Sequence, residues 1–258
     1  MVKIRAIIFD MDGVLIEAKD WHYESLNKAL GLFGMEINRY DHFVTYDGLP
    51  TLKKLDMLSL ERGLPRALHP FINTMKQVYT MEIVHSRCKP VFYHQYALSK
   101  LLSEGFRLAL CSNSIRTSVE VMIQKAKLTE HFEFMLSNED IKNPKPHPEM
   151  YLTAMTRLGL RPEECLILED NPNGLKAAIA SGAHLLRINT VQDVNYNNIK
   201  ARIADVERDS NVKKDSEIGK GSDIKKNSEV ENSEVEKDPE IEKDPSIKRS
   251  FVIVRGPN

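Results

Sequence analysis

The chain contains five short, almost uninterrupted apolar runs, at 6–9, 107–111, 134–137, 165–168 and 184–188. Runs of this length, bounded by polar residues, are typical of buried strands. Amphipathic segments such as 117–128 and 148–160 separate most of the runs and predict helices. Strands that lack polar alternation and are separated by helices indicate a parallel sheet covered on both faces. The predicted fold class is therefore α/β.

The alternation of strands and helices is interrupted between the first and second strands. Over residues 18–90 the pattern has helical periodicity and contains no clear strand. Three segments carry this pattern most clearly, at 22–34, 50–63 and 66–84. We therefore predict a helical cap over 18–90, inserted into an α/β core formed by 1–17 and 91–200.

The composition changes again after about residue 200. Residues 201–258 are mostly charged and small polar, with isolated apolar residues and imperfect repeats such as NSEV and KDPEI. Such a segment buries too little apolar surface to offset its chain entropy, so we predict a low-complexity, disordered tail. A solvated charged helix is the alternative, which the Asp-Pro and Ser-Glu punctuation disfavours. The tail is a candidate tether for a protein partner, although a tail without a partner is the favoured interpretation.

Overall composition excludes several classes of protein. The 258 residues are 41% hydrophobic and 28% charged, and the formal net charge is −1, so no global field attracts nucleic acid or an anionic membrane. No apolar run reaches the length of a membrane span, and the first one is too short for a signal peptide. The three cysteines, Cys88, Cys111 and Cys165, lack metal-binding spacing. These features predict a cytoplasmic protein with no membrane or nucleic-acid partner.

Polar residues follow four of the predicted strands directly or in the next loop. They are Asp10 and Asp12, then Ser112, Asn113 and Ser114, then Lys145, and finally Glu169, Asp170 and Asn171. Taken singly, such residues are more often helix caps or solvated lysines than functional groups. Functional groups in an open parallel sheet collect at the carboxyl ends of the strands, and the order of these residues therefore favours a common site.

The residue types in this set indicate phosphate chemistry. Four carboxylates brought together raise one another's pKa values unless a cation neutralises them. Hard oxygen ligands of this kind suit Mg²⁺, although Mn²⁺ or Co²⁺ accept the same ligands. A lysine and a serine hydroxyl beside the metal form a cradle for a phosphate group. One carboxylate can then act as a nucleophile and form an aspartyl-phosphate.

The sequence resembles the haloacid dehalogenase superfamily of phosphotransferases. The motifs DMDGV, CSNS, NPKPHPEMY and ILEDN match the four motifs of that superfamily in order, and the resemblance covers about residues 1–190. It implies a Rossmann-like core. A helical insertion just after the first motif is similar to the cap of the subgroup that holds β-phosphoglucomutase and small-molecule phosphatases.

The resemblance also implies roles for the motif residues. Asp10 would be the nucleophile that attacks phosphorus, and Asp12 would protonate the leaving group and later help to deprotonate water. Lys145 would neutralise charge on the nucleophile and the phosphoryl group. The implied metal ligands are the Asp10 side chain, the Asp12 backbone carbonyl and Asp170, with Glu169 bound directly or through water. Ser112 and the backbone amide of Asn113 would bind phosphate oxygens.

Two activities of this subgroup remain open, a phosphatase and a mutase. His22 lies where the mutase has a histidine, which favours the mutase, but a histidine on a helix surface is an equally weighted alternative. Thr51 stands where the mutase pattern has an arginine that holds a second phosphate, which favours the phosphatase. Lysine could substitute for that arginine only as a point charge. The candidate lysines are Lys53, Lys54 and Lys76, each more often solvated than a ligand.

We therefore predict a Mg²⁺-dependent phosphatase for a small phosphorylated metabolite, with a sugar phosphate first. The candidate substrate contacts in the cap are His22, Thr51, Lys54, Lys76 and Tyr79. The dehalogenase branch is disfavoured because it needs no metal, and membrane transport ATPases are excluded by the missing spans. A non-catalytic binding protein is a further alternative, disfavoured because no motif residue is lost.

Overall fold

The structure is a computed structural model that describes residues 3–222, with side chains described through residue 209. The described chain up to Ser216 belongs to one compact unit. Its sheet has five strands, β1 (Ala6–Phe9), β2 (Arg107–Cys111), β3 (Phe134–Leu136), β4 (Cys165–Glu169) and β5 (His184–Arg187). Their order is β3-β2-β1-β4-β5, and every neighbouring pair is parallel. All five predicted strands and the α/β fold class are confirmed.

The central strand β1 has both faces buried. Its register places Ile7 beside Leu108 of β2 on one side and beside Leu166 of β4 on the other. Successive side chains of a strand point to opposite faces. Ile7 and Phe9 accordingly belong to one apolar cluster and Ile8 to another. Helices cover both faces of the sheet, as the continuous apolar runs predict.

The helices alternate with the strands as predicted, apart from the inserted block. Their bounds are α1 (Lys19–Gly31), α2 (Arg39–Asp41), α3 (Thr51–Arg62), α4 (His69–Arg87), α5 (Phe92–Ser103), α6 (Arg116–Lys125), α7 (Glu149–Leu158), α8 (Pro172–Ala180) and α9 (Tyr196–Ser222). A π-helical turn spans His42–Tyr46, directly after α2. Short 3-10 turns lie at Arg66–Leu68, Thr129–His131, Asn138–Asp140, Pro162–Glu164 and Val191–Asp193.

The helical block from α1 to α4, which we call the cap, has an apolar cluster of its own. Its buried members include Leu26 and Leu30 of α1, Leu55 of α3 and Ile72 of α4. The described residues between β1 and β2 form no strand. The cap therefore has the helical content that the sequence predicts, whereas its status as a separate domain stays a prediction.

The predicted start of the tail at residue 201 is wrong. Helix α9 runs from Tyr196 to Ser222 and crosses that boundary. Ile199, Ile203 and Val206 are buried in the main apolar cluster, and their spacing of four and three residues places them on one helical face. The rest of the predicted tail, including the apolar run at 251–254, lies outside the described residues.

Two predictions from composition concern helices and cysteines. Within residues 3–222, no helix is long and apolar enough to cross a membrane. The three cysteines are buried free thiols. Cys111 and Cys165 belong to one of the two apolar clusters that flank the sheet.

Candidate active site

A cavity of about 330 Å³ lies between the carboxyl ends of the strands and the cap. The core contributes Asp10, Asp12, Asn113, Lys145 and Glu169 to its lining, and the cap contributes His22, Thr51, Lys54 and Lys76. This volume suits a small metabolite. The structure thus brings together nearly all of the residues that the sequence predicts for the site.

Lys145 lies at the centre of the core wall and is paired with two carboxylates. Its Nζ lies 2.6 Å from Asp10 Oδ1 and 2.8 Å from Glu169 Oε2, and it donates to the Cys111 carbonyl at 3.0 Å. Burial alone would lower the pKa of Lys145, but the charges of Asp10 and Glu169 raise it above the usual value. The lysine is therefore a fixed cation beside the predicted nucleophile.

Glu169 ends β4 and is held by several donors. Besides Lys145, it accepts from the Tyr151 hydroxyl on α7 and from the backbone N–H groups of Asp170 and Asn171 at 3.2 Å each. A Cβ on Gly174 would lie 2.0 Å from the Glu169 carboxylate carbon, so α8 approaches this closely only with glycine there. Sequence analysis missed Tyr151 as a site residue, although it lies within the NPKPHPEMY motif.

Three carboxylates form a group suited to a metal ion. Oxygen atoms of Asp10, Glu169 and Asp170 all lie within 4.8 Å of one another. Asp170 Oδ1 is buried without a hydrogen-bond partner, and Lys19 Nζ lies 2.5 Å from Oδ2. Burial, followed by the charge of Glu169, raises the pKa of Asp10, and burial raises that of Asp170 to about 6. Buried, mutually repelling carboxylate oxygens fit a hard divalent cation.

The backbone at Gly13 passes close to Asp170, one of these carboxylates. Gly13 has a φ of +91°, and a Cβ there would lie 2.2 Å from Asp170 Oδ2. An L side chain at this position would be strained and would displace a candidate metal ligand. The sharp turn after β1 therefore requires glycine.

Asp12 is oriented by three side chains. Its Oδ1 lies 3.1 Å from His22 Nε2, and its Oδ2 accepts from Ser114 Oγ at 2.8 Å and from Ser112 Oγ at 3.5 Å. Burial would raise the pKa of Asp12, but His22 and Ser114 hold it below the usual value. The sequence analysis assigned no role to Ser114, which ends the CSNS motif. Ser112 is buried against Asp12, and its binding to a phosphate stays a prediction.

His22 joins the cap to the core. Its Nε2 faces Asp12 and its Nδ1 lies 3.3 Å from Lys76 Nζ. A carboxylate requires a donor and an ammonium requires an acceptor, so these partners assign a neutral ring protonated on Nε2. Burial, followed by the charge of Lys76, lowers the pKa of His22. The interpretation of His22 as a helix-surface residue is therefore wrong.

The loop before α3 is tied to the core by asparagines. Asn113 Nδ2 donates to the Gly48 carbonyl at 2.9 Å, and its Oδ1 accepts from the Lys145 backbone N–H at 3.1 Å. Asn171 Nδ2 donates to Asp47 Oδ2 at 2.8 Å. The sequence analysis assigned no role to Asp47 or Asn171. These bonds hold the cap over the strand ends.

The predicted cap contacts divide into two groups. Lys54 and Lys76 are buried at the cavity, where predicted substrate contacts should lie, so the alternative that they are solvated is wrong. Lys53 is exposed, as expected for a residue on the outer side of α3. Tyr79 does not line the cavity, since it packs against the cap cluster with Lys28 Nζ 4.9 Å from its ring centre. The prediction of Tyr79 as a substrate contact is therefore wrong.

Comparison with known proteins matches this chain to one hydrolase family and to relatives that are named phosphatases. A family model described as haloacid dehalogenase-like hydrolase matches residues 7–188. A "Phosphorylated carbohydrates phosphatase" from Thermotoga maritima is 27% identical over 187 residues, which cover 69% of this chain and 82% of the relative. A "Phosphoglycolate phosphatase" from Salmonella typhi is 25% identical over 202 residues, covering 69% and 79%.

A solved structure shows the same fold. The β-phosphoglucomutase from Clostridium difficile superposes with a TM-score of 0.68 at 20% sequence identity, covering 78% of this chain and 98% of the mutase.

Proposed function

The chain belongs to the haloacid dehalogenase-like hydrolase family, and from this premise we propose that it hydrolyses the phosphoric monoester of a small metabolite. A sugar phosphate is the first candidate, because the Thermotoga maritima relative is named a phosphatase of phosphorylated carbohydrates. The pairing of Asp10 with Lys145 at 2.6 Å, beside a second oriented carboxylate, carries the proposal.

In the first step, an Asp10 oxygen attacks phosphorus and the bond to the ester oxygen breaks, which leaves an aspartyl-phosphate. Asp12 gives its proton to the leaving oxygen, which departs as an alcohol. The hydrogen bonds to Asp12 favour its carboxylate form, but the negative charge of an arriving phosphate raises its pKa. Lys145 offsets the charge that collects around phosphorus.

In the second step, water attacks phosphorus, Asp12 accepts the proton of that water, and the bond to Asp10 breaks. Inorganic phosphate leaves, and both carboxylates return to their starting forms. His22, Ser112 and Ser114 hold Asp12 in position for both proton transfers. The net reaction consumes one water and yields one alcohol and one phosphate.

We further propose that Asp10, Glu169 and Asp170 hold Mg²⁺, with the Asp12 backbone carbonyl as an additional ligand. When bound, the ion would neutralise negative charge on the transferring phosphoryl group. The unpartnered Asp170 Oδ1 and the raised pKa values of Asp10 and Asp170 support this assignment.

The first experiment is phosphate release from a panel of phosphorylated sugars and acids, with Mg²⁺ and with EDTA. We expect metal-dependent release that falls about 10³-fold or more in Asp10→Asn, since the nucleophile is then missing. Trapping of ³²P on the wild-type chain but not on Asp10→Asn would support the covalent intermediate. Equal release by both proteins would contradict the role of Asp10.

A mutase is the second candidate, favoured by the contact of His22 with Asp12 at the position of the mutase histidine. β-Glucose 1-phosphate, offered with and without glucose 1,6-bisphosphate, separates the two activities. Primed conversion to glucose 6-phosphate would establish a mutase, and release of phosphate would establish a phosphatase. Absence of both reactions, and of release from the whole panel, would favour the binding-protein alternative.

A further inference from the structure

The cap presents two buried ammonium groups to the cavity with little to balance them. Lys54 and Lys76 are only 6% and 7% exposed, and both line the cavity. Lys76 Nζ touches the neutral His22 ring, and Lys54 Nζ has no hydrogen-bond or ion-pair partner among the described residues. Neither lysine is in contact with a carboxylate within the region whose side chains the structure describes.

Such an arrangement is unfavourable without a ligand. Burial lowers the pKa of Lys54 to about 8, and burial together with the charge of Lys54 lowers that of Lys76 to about 7. The more distant Asp12 and Asp47 carboxylates offset this only in part. Buried charges are normally paired, because an ammonium without an anionic partner loses its hydration and gains nothing in return.

We propose that Lys54 and Lys76 form a second anion-binding subsite, so that the substrate carries a phosphate or carboxylate besides the phosphate that is cleaved. This inference rests on the proposed phosphatase function and narrows its substrate class. The scissile phosphate would lie on the core wall at Asp10 and Lys145. The second anion would lie on the cap wall.

An anion explains the two lysines better than a sugar hydroxyl does. A hydroxyl can accept a hydrogen bond from either ammonium, but it leaves their mutual repulsion in place. One anion between them offsets both charges. His42 does not offset the charges of the two lysines. Its buried ring has no hydrogen-bond partner among the described residues, and its pKa, lowered to about 3, keeps it neutral.

The position of Thr51 agrees with this assignment. Thr51 lines the cavity at the start of α3, and its side chain carries no charge. Lys54 lies one helical turn further along the same face, with its ammonium toward the cavity. The positive charge that α3 brings to the cavity therefore comes from Lys54.

Matched substrate pairs test the proposal directly. 6-Phosphogluconate and sorbitol 6-phosphate differ only in a carboxylate against a hydroxymethyl group, and phosphoglycolate and 2-hydroxyethyl phosphate form a shorter pair. Fructose 1,6-bisphosphate against the two fructose monophosphates tests a second phosphate. We expect the doubly anionic member to have at least ~10-fold higher kcat/KM in one or more sets.

The variant Lys54→Met, with Lys53→Met as its control, assigns the preference to the cap wall. The two lysines are neighbours on α3, but Lys53 is exposed and Lys54 faces the cavity. In Lys54→Met we expect the preference to fall to about threefold or less, because kcat/KM decreases for the doubly anionic member alone. Lys53→Met should keep the wild-type preference.

Two outcomes would overturn the subsite while leaving the phosphatase intact. One is phosphate release with equal kcat/KM for the members of every set. The other is an equal loss in Lys54→Met for both members of a pair, which would place Lys54 at the scissile phosphate. If no compound releases phosphate, the proposed function fails. The subsite is then tested by measuring the calorimetric binding of each pair to the wild-type chain. Tighter binding of the doubly anionic member would support the subsite, and equal binding would overturn it.

Discussion

The core wall and the cap wall of the cavity both contain buried lysines, but they provide opposite surroundings for them. Lys145 on the core wall is 4% exposed and contacts two carboxylates. Lys54 and Lys76 on the cap wall are nearly as buried, and neither contacts a carboxylate of the described part of the chain. The pKa of Lys145 is raised, whereas those of Lys54 and Lys76 are lowered to about 8 and about 7.

The partners of a buried lysine, rather than its burial alone, therefore decide its charge state. The core wall is balanced by groups of the chain itself, which suits a site whose chemistry is the same for every substrate. The cap wall is left for a ligand to balance, which suits a surface that selects among substrates. The comparison predicts that replacing a lysine with methionine should lower the free energy of unfolding on the core wall and raise it on the cap wall.

The largest effect is expected for Lys145→Met. The substitution leaves Asp10 and Glu169 buried together without their cation, so we expect a loss of about 3–5 kcal/mol in the free energy of unfolding. We also expect kcat/KM to fall roughly 10²–10³-fold, because a charge beside the transferring phosphoryl group is lost. Urea unfolding and phosphate release measure the two effects.

Lys142→Met is the matched control for that experiment. Lys142 lies three residues earlier in the same loop, and its side chain is exposed. Surface substitutions of this kind change stability by about 0.5 kcal/mol or less. A stability loss in Lys142→Met equal to that in Lys145→Met would remove the distinction between a paired buried lysine and a solvated one.

A smaller effect of opposite sign is expected for Lys54→Met in the absence of ligand. Methionine has a similar shape and no charge to bury, so we expect stabilisation of about 1–3 kcal/mol at neutral pH. Burial lowers the folded-state pKa of Lys54 to about 8, against an ordinary value of 10.5 for a lysine. The gain should therefore be complete below pH 8 and disappear as pH rises toward 10.5. Destabilisation at neutral pH would contradict an unbalanced lysine.

Much of the core and its site is predictable from the sequence because the responsible signals are local. Each strand is a continuous apolar run, and the polar residues after it must lie at one edge of a parallel sheet. Asp10, Asp12, Lys145 and Glu169 meet for this reason. Tyr151 and Ser114 lie within the recognised motifs, but their part in orienting Glu169 and Asp12 depends on side-chain directions that no pattern specifies.

The sequence named Lys54 and Lys76 as candidate contacts but left solvation open as the alternative, because a lysine on a helix is usually solvated. For Lys76 a signal exists, since Ile72, Lys76 and Thr80 are spaced by four residues and all are buried on one face of α4. For Lys54 the signal is its spacing of four from buried Leu58 on α3. The spacing could not show that these residues face a cavity, because a buried face of the cap becomes a cavity wall only where the core lies opposite it.

The error at the tail has a similar origin. Charged residues dominate the sequence after residue 200, and that composition hid a short amphipathic pattern. Ile199, Ile203 and Val206 recur at helical spacing and pack against the core, so α9 continues past the predicted boundary. A boundary placed by average composition is displaced wherever a few apolar residues keep the helical period.

The smallest expected effect is the pH dependence of substrate preference, which distinguishes the walls without any substitution. Lys54 is faced by Asp47, Asp12, His22 and His42, and Lys76 is faced by Lys54, Asp12, His22 and His42. Because kcat/KM reports the free enzyme, the charges that matter are those of the empty cap wall. Both lysines are protonated below pH 7 and lose their protons as pH rises through about 7 and about 8. A carboxylate stays ionised over this range.

The preference for 6-phosphogluconate over sorbitol 6-phosphate should therefore fall several-fold, on the order of 3–10, between pH 6.5 and 9. Lys145 stays charged throughout, since its pKa is raised, and dividing one substrate's kcat/KM by the other's cancels any common change on the core wall. A preference that is constant with pH, or that rises, would show that the cap wall does not hold the second anion through these lysines.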